Sequence, residues 1–113
     1  MKNILLTFDL EEFDLLFDFD YPSDEDDIFK ISKQGLDSLI GLLDKYNLQA
    51  TFFTTARFAR RYPQLIREIS KKHEIACHGY SHSDHYTKGI SKLKLAKKEI
   101  EKIIGKKIKG FRA

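Results

Sequence analysis

Short apolar runs rich in β-favouring residues take turns with longer segments of helical periodicity along the chain. That alternation limits the fold more than any other feature. Ile4–Phe8, Ala50–Thr54, Glu74–Cys77 and Ile108–Phe111 read as strands. After the first, Ser32 is placed to cap a helix with Leu36, Leu39, Ile40 and Leu43 at helical spacing. A helical region from Ala56 to Lys72 follows the second, with Pro63 opening a new helix at its first turn. Ser91 caps a further helix whose stripe is Leu93, Ala96, Ile100, Ile103 and Ile104, and Gly105 ends it. Such an order predicts an α/β fold of parallel βαβ units with right-handed crossovers. About four parallel strands alternating with helices make the N-terminal half of a (β/α) barrel, since a whole one takes roughly 250 residues. An independent four-stranded open sheet is the other arrangement this count allows.

Composition narrows the classes. The 113 residues suffice for one domain, and 42% hydrophobic with 33% charged residues is a globular balance. The longest strictly aliphatic run near the N-terminus, Ile4-Leu5-Leu6, predicts neither a membrane span nor a signal peptide. A single cysteine, Cys77, excludes an internal disulfide framework and suits a reducing compartment, so the expected location is cytoplasmic. Charge is unevenly spread. Asp9 to Asp27 holds ten acidic residues and no Lys or Arg, whereas Lys88 to Ala113 holds ten basic residues against Glu99 and Glu101. These are read as a solvated acidic loop, with a turn at Tyr21-Pro22-Ser23-Asp24, and a solvated helix face. No aromatic residues interleave with the lysines as in nucleic-acid binders, so neither nucleic acid nor membrane is an expected partner.

In parallel α/β folds ligands bind at the carboxyl ends of strands. Asp9 and Glu11 follow the first predicted strand, His78 and His82 the third, and Arg112 the last. An isolated pair of histidines four apart binds nothing in most proteins. Joined by a carboxylate from a neighbouring strand end, it offers three ligands and leaves positions open, as a catalytic metal site does. Gly79 lets the backbone turn sharply between the two imidazoles. Asp9 and Glu11, two apart, share a face on a continuing strand, so one can ligate while the other serves as a base; alternatively, both are solvated loop carboxylates.

Thr7-Phe8-Asp9-Leu10-Glu11, Ala50-Thr51-Phe52-Phe53, His78-Gly79-Tyr80-Ser81-His82 and Gly110-Phe111-Arg112-Ala113 resemble, in order and spacing, successive motifs of the polysaccharide deacetylase family (carbohydrate esterase family 4, the NodB homology domain). The resemblance implies a distorted (β/α) barrel holding a divalent metal, usually zinc. It assigns the metal to Glu11, His78 and His82, makes Asp9 the general base, and makes Arg112 the residue that pairs with Asp9 and orients it. Many members carry two adjacent aspartates in the first motif. Here Leu10 takes the second position, and the ligand role moves to Glu11 as in an Asp-x-Glu branch. The implied reaction is hydrolysis of N-acetyl groups from an N-acetylated saccharide.

The family's later motifs, including the histidine that protonates the leaving amine, have no counterpart among these residues. The expectation is an N-terminal part of a single deacetylase domain over residues 1–113, inactive alone, that self-associates to cover its open sheet edge. Two other readings stand beside it: hydrolysis of a small non-sugar amide such as a cyclic imide on the same fold, and a noncatalytic truncated binding module. His85 is read as a surface histidine, Cys77 as a small residue closing a buried strand, and Phe13, Phe17 and Phe19 as packing the long loop onto the barrel top or, alternatively, lining a platform for a sugar. His73 receives no role.

Overall fold

The computed structural model describes residues 2–83 and 89–113. Its elements run β1 (Thr7–Leu10), α1 (Leu15–Asp18), α2 (Glu25–Lys45), β2 (Thr51–Thr54), α3 (Ala56–Arg61), α4 (Pro63–Ile69), β3 (Glu74–Cys77) and α5 (Gly89–Ile104). The three strands form one parallel sheet in the order β1-β2-β3, with Thr7 opposite Thr51 and Thr51 opposite Glu74. Parallel pairing demands a crossover between successive strands, and the helices supply it. The core holds Phe52 and Ile75 from the sheet, Ile28, Leu36 and Leu43 from α2, Phe58 and Ile66 from α3 and α4, and Ala96 and Ile100 from α5.

Three expectations shift. The first strand begins at Thr7 rather than Ile4: Leu6 still accepts the Thr51 N–H at 2.9 Å, but Ile4 and Leu5 lie more than four-fifths exposed. Asp9 therefore lies inside β1, while Glu11 follows it. The acidic stretch is not one loop. Asp24 accepts the Asp27 N–H at 2.8 Å and Asp27 reaches back to the Asp24 N–H at 3.3 Å, a reciprocal cap that starts α2 seven residues before Ser32. Glu25 and Asp26, with Asp27, make the first turn acidic, which suits the positive end of the helix dipole. Ser91 likewise lies within α5 rather than at its cap.

The fourth predicted strand, Ile108–Phe111, is reduced to a single parallel bridge between Cys77 and Phe111. Glu101 explains why: its carboxylate takes the Ile108 N–H at 3.0 Å, so the segment follows the end of α5 before it reaches the sheet. Only there do Cys77 N–H to Gly110 O (2.9 Å) and Arg112 N–H to Cys77 O (3.0 Å) form. A Cβ at Gly110 would meet the Ala76 Cβ at 3.3 Å, so this close approach favours glycine. The bridge still delivers Arg112 to the carboxyl end of β3. Pro63 and Gly105 act as expected, one opening α4, the other ending α5 at a φ of 72°. Phe13, Phe17 and Phe19 are not buried: Phe19 is 79% exposed, and Phe13 lies partly covered at the rim of a groove against α2. His85 and Lys88 lie outside the described residues. No helix among the described residues is long and apolar enough to cross a membrane.

Candidate functional site

The sheet's carboxyl end opens into a cleft of about 630 Å³ lined by Asp9, Glu11, His78, Tyr80, His82 and Phe111, among others. Local structure brings them there. His78 leaves β3 with its N–H on the Thr54 carbonyl at 2.8 Å, and Gly79 then turns the chain at a φ of 89°. The carbonyls of Gly79 and Tyr80 next accept the first N–H groups of α3, from Ala56 (3.0 Å) and Arg57 (2.8 Å). The histidine loop is thus held by the open end of a neighbouring helix.

Glu11 stands between the two imidazoles. Its Oε2 is 2.9 Å from His78 Nε2 and its Oε1 3.6 Å from His82 Nε2. The far ring nitrogens face acceptors only: His78 Nδ1 meets the Arg112 carbonyl at 2.9 Å, and His82 Nδ1 meets an Asp14 carboxylate oxygen. An acceptor there requires the proton on Nδ1, so each neutral ring turns a lone pair at Nε2 toward Glu11. Such a contact needs a proton or a cation between the groups. Glu11 Oε2 is correspondingly buried without a well-formed hydrogen bond.

The rings' affinity for protons reflects the same crowding. His78 is raised above the ordinary histidine value, chiefly by the Glu11 carboxylate and against the effect of burial. For His82 burial is the largest single influence and pushes downward, but Asp14, Glu11 and Glu12 together outweigh it and leave the ring raised. Two imidazoles and a carboxylate are donor types that divalent cations take. Ligand bonds of about 2.1 Å at tetrahedral angles separate donors by roughly 3.4 Å, and the observed 2.9 and 3.6 Å bracket that spacing. As the side chains lie, no group of three or more His, Cys, Asp or Glu among the described residues could hold a metal ion. Glu11 faces the two rings through different oxygens, so a shared centre requires one group to turn.

Beside this trio, Arg112 donates from one guanidinium nitrogen to Asp9 Oδ1 and from another to Thr7 Oγ1, both at 2.8 Å, and lies 4.1 Å above the Phe53 ring. Thus the structure brings Glu11, His78 and His82 into one group and Asp9 with Arg112 into another, on a common cleft. Cys77 is buried, its thiol pushed up by burial and its Sγ accepting the Gly79 N–H at 3.4 Å.

Sequence reasoning missed Glu12, Asp14 and Thr55. Glu12 is 1% exposed, accepting the Thr55 hydroxyl at 2.8 Å and the His82 N–H at 2.9 Å. Thr55 also accepts the Phe58 N–H at 3.1 Å, so one hydroxyl caps α3 and ties it to the loop after β1. The one available signal was carboxylates set among Leu10, Phe13 and Leu15, apolar neighbours that draw charge inward.

A parallel α/β sheet thus carries a two-histidine, one-glutamate cluster and a separate Asp–Arg pair at its carboxyl end. The chain belongs to the polysaccharide deacetylase family, whose sequence profile matches residues 1–113. It is 37% identical over 81 residues to the uncharacterized protein YlxY of Bacillus subtilis, covering 67% of this chain and 25% of that one. Identity to the peptidoglycan-N-acetylmuramic acid deacetylase PdaA of the same organism is 33% over 73 residues, covering 60% and 28%. A putative polysaccharide deacetylase from Mycobacterium smegmatis, of known structure, superposes with a TM-score of 0.73 at 31% identity, over 96% of this chain and 42% of its own. The chain spans less than half the length of each. Its strands and helices correspond to part of the (β/α) barrel of such deacetylases.

Proposed function

We propose that this chain carries the metal-binding and base-bearing part of a deacetylase site that hydrolyses N-acetyl groups on an amino-sugar polymer. The supporting observation is the convergence of Glu11 on both imidazoles, beside a separately held Asp9. Glu11, His78 and His82 would hold a divalent cation, zinc by the chemistry of two imidazoles and a carboxylate. When bound, that ion supplies Lewis-acid polarisation of the acetamide carbonyl.

The chain's own residues do the rest. Arg112 occupies Asp9 Oδ1 and leaves Oδ2 free to take a proton from an attacking water. Thr7 and the Phe53 ring fix the guanidinium, so Asp9 holds one orientation. Tyr80 and Phe111 line the same cleft, where an aromatic ring can pack against a sugar.

Metal analysis of the purified protein tests the reading directly. Close to one zinc per chain is expected, falling to background in Glu11→Ala and in His82→Ala, with loss of acetate release from an N-acetylated glycan where the unaltered protein shows it. Equal metal content in all three proteins would refute the ligand assignment.

A further inference from the structure

We propose that Asp14 is a positioning residue for His82, holding the imidazole as its Nδ1–H tautomer so that Nε2 faces Glu11. The inference rests on the ligand role given to His82 above, but its geometry stands separately. Asp14 is 8% exposed, and its carboxylate oxygen lies on His82 Nδ1. It stands just before the short helix α1, and its side chain makes no capping bond there. A buried carboxylate whose oxygen meets a ring 68 residues away is aimed at that ring.

Glu12 completes the hold. Through the His82 N–H it fixes the backbone beneath the ring, while Asp14 fixes the ring itself. Three carboxylates within four residues thus take separate tasks: Glu11 faces Nε2, Glu12 the main chain and Asp14 Nδ1. The Nδ1 proton is shared with Asp14, and Nε2 keeps its electron pair for the cleft. Partners of this kind fix the tautomer and orientation of a ligating histidine, and losing them typically weakens metal binding about 10–100-fold.

Two readouts on the purified protein test the proposal. In metal-free, nitrogen-15-labelled protein at about pH 9, side-chain correlation spectra identify which ring nitrogen carries the proton, with His82→Ala assigning the signals. His82 is expected as the Nδ1–H form, kept in Asp14→Asn, which retains an acceptor oxygen, and lost in Asp14→Leu. Zinc titrated into the same proteins should bind about 10–100-fold more weakly to Asp14→Leu than to the unaltered chain, with Asp14→Asn recovering most of the loss. Far-UV circular dichroism checks folding, and Asp14→Ala replaces Asp14→Leu if the larger side chain disrupts the loop. A His82 tautomer indifferent to loss of the acceptor overturns the positioning role, even where zinc binds. A tautomer that responds in a chain that binds no zinc leaves that role standing and removes the ligand assignment instead.

Discussion

His73 stands between Lys72 and Glu74 in the sequence, yet its ring is 5% exposed, edge-on to Phe52 at 5.5 Å between centroids. Its Nδ1 accepts the Ala50 N–H at 3.2 Å, satisfying a buried donor just before β2. Burial, and then Lys72, hold this imidazole below its ordinary value, with Asp44 opposing them in part. The unfolded chain consequently binds more protons than the folded one between the depressed value and the ordinary value near about 6.5. Stability from this residue is therefore complete above that window, falls as pH drops through it, and levels off below the folded value. Asparagine can place an acceptor near the same N–H without titrating. Urea unfolding at about pH 7.5 and pH 5.5 should show the unaltered protein losing more stability on acidification than His73→Asn. Equal losses would mean that the ring is not held neutral. His73→Leu should cost about 1–3 kcal/mol at the higher pH, the penalty of a buried donor left unpaired.

At the scale of elements, most of the architecture was legible because period and punctuation agree. Pro63, Gly105 and the stripe through Ala96, Ile100 and Ile104 each obey a local rule, and the structure follows them. One misreading arises where a side chain seven residues away takes a backbone group that local rules leave to the sheet. Glu101 takes the Ile108 N–H and shortens the last strand to a bridge. The site divides in the same way. Asp9, Glu11, His78, His82 and Arg112 announce themselves through type and spacing, whereas Glu12 and Asp14 were hidden in a run of like charges until the fold chose among them. The start of α2 was missed for a different reason, since an all-acidic turn resembles a solvated loop unless its reciprocal cap is recognised. That cap gives a measurable expectation. Asp24→Ala removes the acceptor for the Asp27 N–H and should destabilise the chain by about 1 kcal/mol in denaturant titration, whereas Asp24→Ser should recover most of it. No change in midpoint would place the stability of this turn elsewhere, in the Glu25–Arg57 and Asp26–Arg61 ion pairs that tie α2 to α3.

For the molecule as a whole, the sheet is the unbalanced part. Among the described residues β1 pairs on one side only, with β2, and its free edge follows the exposed Ile4 and Leu5. Behind that edge, Phe8, Leu10, Phe13, Leu36 and Leu39, together with Asp9, Glu11 and Ser32, line a groove of about 300 Å³ against α2. Strands of parallel sheets are ordinarily covered on both faces, and an exposed edge offers unpaired backbone groups to any matching strand. We propose that the chain self-associates through this edge, because a second copy supplies both the backbone partners and the apolar cover that β1 lacks. Light scattering during size exclusion should then give a mass above the 13.2 kDa of one chain that rises with loading. Leu5→Lys should return it toward the single-chain value by placing a charge in the exposed apolar segment that leads into the edge. Association also raises thermal stability by mass action, so the unfolding midpoint should climb with concentration in the unaltered chain and less so in Leu5→Lys. A constant single-chain mass with a concentration-independent midpoint would show that the edge is tolerated bare, leaving the twist and shortness of a four-residue strand as its protection.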